Sequence, residues 1–277
     1  MKFFRSLLLW AVIFACFLTG CSQKPLFTPL ESSVPESSAV SQVPESSVPE
    51  ESSASEPEPS VDIPASDPYL GAAVPESDPL DETYFDDAVF VGDSLTYGLG
   101  AYQVLDAEKV IAHTGINPQT ILTKSCIEQP DGSTLTALEA VKAAAPHKVY
   151  LMLGSNGVAF LSQGKIIEFY GDFLDQLREA LPDAIFYVQS VLPVTHEKEA
   201  GDDRYANSKI DALNDALLEL ATEKGAYYLD VAEAIKDENG CLPAGNSTDG
   251  MHFGVSTYRI WVDYLLSHTV DESLLPA

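Results

Sequence analysis

Apolar residues in this chain occur in two patterns: short unbroken runs, and longer stretches where they recur every three or four positions. Ala88–Gly92 is a run of the first kind, closed on both sides by aspartates. It reads as a strand buried on both faces. Lys109–His113, Lys148–Leu153, Ala184–Val194 and Ala226–Asp230 predict four more strands. Helical spacing predicts helices over Ser133–Ala145, Gly164–Leu181, Asp203–Lys224 and Val255–Thr269. On Gly164–Leu181 the apolar candidates are Ile167, Phe169, Phe173, Leu174 and Leu177. Strands alternating with helices predict an α/β fold with three layers, α/β/α, around a five-stranded parallel sheet. A flavodoxin-like, doubly wound order is the natural expectation, with sites at the carboxyl ends of the strands. The segments after Gly92, His113, Leu153 and Val194 are therefore where chemistry is expected.

Composition divides the chain before that pattern begins. Lys2 and Arg5 precede a mostly apolar stretch from Leu7 to Leu18, which is short for a membrane-spanning helix. It ends in Leu18-Thr19-Gly20-Cys21, which resembles a bacterial lipobox. That resemblance implies a signal peptide over residues 1–20, acyl chains on Cys21, and attachment to the extracytoplasmic face of a cell membrane. From there to residue 83, Ser, Pro and Glu dominate, and Val-Pro-Glu recurs at Val34, Val43, Val48 and Val74. Proline blocks regular structure and the glutamates repel one another, so residues 21–83 are expected to be a disordered tether. Its reach as a flexible coil is about 45 Å. The folded domain is expected over residues 84–277.

The formal charge of −27 is carried by the tether and the domain alike. Nucleic acid is excluded as a partner, because neutralising phosphates needs clusters of Lys and Arg. Of the four cysteines, Cys126 and Cys241 fall in the domain, where export would permit a disulfide. No CxxC or HxxxH spacing is present, so no metal and no cofactor are expected.

The chemistry lies after the strands. Gly92-Asp93-Ser94-Leu95 follows the first one, and it puts a serine at the start of a helix, where its own N–H is free to bind an anion. Thr114-Gly115-Ile116-Asn117 follows the second strand, and Leu153-Gly154-Ser155-Asn156-Gly157 the third. Asp249-Gly250-Met251-His252 precedes the last helix, with a carboxylate three residues before an imidazole. A general base needs one ring nitrogen toward the serine and the other held by a carboxylate, and this spacing provides both from one loop.

Taken in order, these blocks resemble the SGNH, or GDSL, hydrolases, with the likeness running over about residues 84–270. One departure is Gly157, where the family usually has Asp after the asparagine. The resemblance implies a serine esterase with Ser94 as nucleophile, His252 as base and Asp249 as its orienting acid. It further implies an oxyanion hole made of the Ser94 and Gly115 N–H groups and the Asn156 amide. For an enzyme anchored on a tether, the expected substrates are short acyl groups, such as acetyl, on cell-wall or extracellular carbohydrate. Lysophospholipid esters, or acyl transfer to an alcohol, are alternatives within the same chemistry. A non-catalytic surface-binding lipoprotein is the alternative outside it.

Overall fold

The structure, a computed structural model, describes residues 67–275. The expected signal peptide, the lipidation site at Cys21 and the tether up to residue 66 lie outside the described residues. In chain order the elements are β1 (Ala88–Gly92), α1 (Ser94–Ala101), β2 (Val110–Ala112), β3 (Ile127–Glu128), β4 (Thr134–Leu135), α2 (Ala137–Ala144), β5 (Lys148–Met152), α3 (Gln163–Ala180), β6 (Ile185–Gln189), α4 (His196–Gly201), α5 (Asn207–Glu223), β7 (Tyr227–Leu229), α6 (Val231–Ile235) and α7 (Val255–Ser267).

Five strands pair in parallel in the order β2-β1-β5-β6-β7. Numbered within the sheet alone, that is 2-1-3-4-5, the flavodoxin-like order. The order reverses at β1, so the crevice between the carboxyl ends of β1 and β5 is where this topology opens a site. β3 and β4 form a separate antiparallel hairpin, which the apolar pattern does not announce.

Side chains alternate along each strand, so the two faces of the sheet have separate cores. Val89, Val91, Val149, Leu151, Phe186 and Val188 share one cluster with Phe173 and Leu177 of α3 and Leu213 and Leu217 of α5. Phe90, Tyr150, Met152, Tyr187 and Leu229 share the other with Leu95 and Leu99 of α1 and Trp261 and Leu265 of α7. On that second face Phe90, Tyr150, Tyr187 and Tyr227 stand in register across four strands. Their rings lie 4.9, 4.5 and 5.8 Å apart. Such pairs each contribute about 0.5–1.5 kcal/mol beyond the area they bury.

Several elements differ from the sequence pattern, each for a local reason. The folded unit begins before residue 84. Val74, expected in the tether, is 1% exposed, and its N–H donates to the Tyr228 carbonyl at 2.9 Å. Ser77 and Leu80 donate in the same way to the backbone of Ser267 and Leu266. The helix expected from Ser133 starts at Ala137, because Thr136 and Glu139 form a reciprocal capping box. On α3 the core positions are Ile166, Tyr170, Phe173, Leu174 and Leu177, while Ile167 and Phe169 sit at the border. The strand expected to reach Val194 ends at Gln189. Cys126 and Cys241 are both buried free thiols.

That early strand end matters for the site. Residues 190–194 leave the sheet yet stay buried, so their backbone groups need other partners. Two asparagines of α5 supply them. Asn214 accepts from Val191 N at 2.7 Å and donates to its carbonyl at 2.9 Å. Asn207 does the same for Val194 at 2.9 and 3.0 Å. The segment thus held passes on to Thr195, whose N–H donates to the Gly250 carbonyl at 2.9 Å.

Candidate active site

The turn after β1 admits no side chain at Gly92. A Cβ there would overlap the Thr96 hydroxyl and the Met152 carbonyl. The next residue, Asp93, takes the N-cap of α1 by accepting from Leu95 N at 3.0 Å. With the cap supplied by Asp93, Ser94 is the first helical residue and its hydroxyl is left free for another partner. That partner is His252, whose Nε2 lies 2.8 Å from Ser94 Oγ.

The loop that carries His252 is held by short-range bonds. Asp249 Oδ1 accepts from the backbone N–H groups of Met251 at 3.0 Å and His252 at 2.8 Å. Its Oδ2 accepts from His252 Nδ1 at 2.7 Å. Gly250 takes the left-handed conformation, φ +84°, and a Cβ on it would press on Lys198 and Thr195. With Nδ1 donating to a carboxylate, Nε2 is the ring nitrogen free to accept the serine proton. Desolvation alone would raise the Asp249 pKa. The hydrogen bonds from the His252 ring and from the Met251 and His252 backbone outweigh it and hold the carboxyl well below its usual range. Asp249 is therefore a carboxylate, able to accept from the ring nitrogen that faces it.

Asn156 and Gly115 come from the turns after β5 and β2, on either side of β1. Asn156 Nδ2 donates to the Ile116 carbonyl at 3.1 Å, which ties the two turns together. The amide has a second hydrogen to offer. Among the described residues, the N–H groups of Ser94 and Gly115 have no hydrogen-bond partner. Ser94, Gly115, Asn156, Asp249 and His252 thus lie together at the carboxyl ends of the strands.

Asp93 and Ser155 lie at these strand ends as well, although the sequence pattern assigns them no role. Asp93 is 0% exposed. It accepts from the Ser155 hydroxyl, which joins the turn of Ser94 to the turn of Asn156. Burial pushes its carboxyl up to about 6, against the lowering pull of the hydrogen bonds from Ser155 and from the Leu95 and Asn156 backbone and of the His252 charge. The one sequence signal was the place of Asp93 between the glycine and the serine.

Comparison with known proteins identifies the family. The chain matches the GDSL-like Lipase/Acylhydrolase family over residues 90–260. No curated protein matches its sequence. Among solved structures, a GDSL-like lipase from Bacteroides thetaiotaomicron is similar at 18% identity and TM-score 0.50, with 67% of this chain and 87% of that one covered. A protein from Streptococcus pneumonia assigned as a platelet activating factor gives 21% identity and TM-score 0.52, over 65% of this chain and 81% of that one. One from Bacteroides fragilis assigned as an acylhydrolase gives 17% and 0.50, over 71% and 89%. At these identities the likeness is one of fold. The family match spans more than half of the chain, which belongs to the GDSL-like lipase/acylhydrolase family and is a carboxylic ester hydrolase.

Proposed function

We propose that the protein hydrolyses short acyl esters, acetyl above all, on cell-wall or extracellular carbohydrate, through Ser94, His252 and Asp249. The carrying observation is the continuous chain of hydrogen bonds, 2.8 Å from Ser94 Oγ to His252 Nε2 and 2.7 Å from His252 Nδ1 to Asp249 Oδ2. Ser94 Oγ attacks the ester carbonyl while its proton passes to Nε2. The carbonyl oxygen becomes an anion, which the N–H groups of Ser94 and Gly115 and the second amide hydrogen of Asn156 stabilise. Collapse expels the alcohol, protonated by His252, and leaves an acyl group on Ser94. Water, deprotonated by His252, then releases the acid.

The choice of carbohydrate rests on exposure. The His252 side chain is 46% exposed and that of Asp249 55%. Such an open site suits an ester projecting from a polymer better than a long chain that must be sheltered from water. A lipid anchor on Cys21, outside the membrane, and the tether after it complete the proposal: the domain would work within reach of a surface. The soluble domain and its Ser94→Ala variant, assayed on p-nitrophenyl acetate, test the chemistry. The variant is expected to lose at least about 10³-fold in kcat. Equal rates would instead favour a binding role.

A further inference from the structure

Ser94 shares a face of α1 with Tyr97 and Ala101, because residues three and seven apart lie one above the other on a helix. Along that face runs a groove of about 410 Å³, bounded by α1, the end of β2 and strand β3 of the hairpin. Its volume is in the range of sites for small ligands. Tyr97, one helical turn from Ser94, lines it together with Gly100 and Ala101, both small. Tyr97 is 51% exposed, and among the described residues it makes no ring–ring contact and no side-chain hydrogen bond. Its neighbour in exposure, Tyr102, instead leans on Tyr258, with ring centroids 5.3 Å apart.

The polar side chains that line the groove with Tyr97 are His113, Thr114 and Glu128, and no Lys or Arg lines it. A phosphate-bearing head group would find no cation there and would meet a carboxylate. The rest of the lining is apolar, with Val110 and Ile127 its largest members, and an acyl chain there would still lie beside a hydroxyl, an imidazole and a carboxylate. A neutral sugar fits both halves of the surface: its C–H face carries partial positive charge and suits the negative face of an aromatic ring. Its hydroxyls, which both donate and accept, suit the rest.

We propose that the groove between α1 and the β3–β4 hairpin binds the saccharide portion of the ester, with Tyr97 as its stacking platform. The proposal rests on Ser94 being the nucleophile, since it makes the groove the seat of the alcohol that Ser94 releases.

The test uses the full chain, its Tyr97→Ala, Tyr97→Phe and Ser94→Ala variants, and two acetyl esters. One is partially O-acetylated xylobiose and the other is ethyl acetate, which has no sugar and no aromatic group. Tyr97→Ala is expected to raise KM for the acetylated disaccharide roughly three- to tenfold, the worth of one aromatic face contact. Its kcat should stay within about twofold, its ethyl acetate turnover should not change, and Tyr97→Phe should keep the wild-type KM. Equal losses on both esters would mean a structural role for Tyr97 and overturn the subsite. So would an unchanged KM, or a Tyr97-dependent preference for lysophosphatidylcholine over the disaccharide. Ethyl acetate separates the two failures. If Ser94→Ala still cleaves it, the nucleophile is wrong. If only Ser94→Ala is dead and Tyr97 is indifferent, the subsite alone is wrong.

Discussion

One aspartate belongs to the proposed machinery and another stands beside it in sequence, next to Ser94, and their surroundings could hardly differ more. Asp93 is fully buried, holds together turns that are 62 residues apart in sequence, and has its carboxyl pushed up to about 6 by burial. Asp249 is half exposed, bonds only within its own loop, and is held below the ordinary carboxylate range by the donors it meets there. The same side chain is thus a structural tie in one place and a permanent negative charge in the other. Local hydrogen bonds make Asp249 suited to orient an imidazole without a long-range constraint. Asp93 holds its turn through the donors it meets from Leu95 and Ser155, and those bonds work against the desolvation that penalises its charge.

The largest effect expected from breaking this contrast is on the exposed side. Asp249→Asn keeps an oxygen for the backbone donors but offers His252 Nδ1 no charged acceptor, so the wrong tautomer becomes available. It should lower kcat by about 10³–10⁴-fold, with little change in melting temperature. Next comes the residue whose turn Asp93 steadies. Asn156→Ala removes a proposed oxyanion donor and should cost about 10²–10³ in kcat, measured on p-nitrophenyl acetate, while the protein stays folded. The smallest effect is thermodynamic and belongs to Asp93. Its native pKa lies above the unfolded value, so the native state binds the proton more tightly. Its contribution to stability is therefore present at low pH and is lost as pH rises through about 6. Asp93→Asn cannot titrate. Chemical denaturation at pH 7.5 and pH 5 should show wild type gaining about 1 kcal/mol over the variant on acidification. A gap independent of pH would mean that Asp93 is not the buried carboxyl described.

Much of this was legible in the sequence, and what was not has physical causes. β1 and β5 were readable because strands covered on both faces need unbroken apolar runs, and five such runs fit only a few topologies. The place of the candidate residues was readable because a doubly wound sheet opens at the strand ends, where Ser94, Gly115 and Asn156 stand. The end of β6 was not readable. Leaving the sheet at Ser190 is made tolerable by Asn207 and Asn214, which satisfy Val194 and Val191 from 13 and 23 residues downstream. The role of Asp93 was hidden for the same reason: its partner Ser155 belongs to another turn. Residues 74–80 look like tether by composition, yet they bond to α7 and β7 through their backbone, and composition carries no signal of that.

The central claim is that Ser94 is the nucleophile, made reactive by His252. Labelling the protein with a fluorophosphonate, followed by peptide mapping in the mass spectrometer, tests it most directly. The account predicts one adduct, on Ser94, absent from Ser94→Ala and forming far more slowly in Asp249→Asn. An adduct on any other serine, or equal labelling of Ser94→Ala, would contradict it.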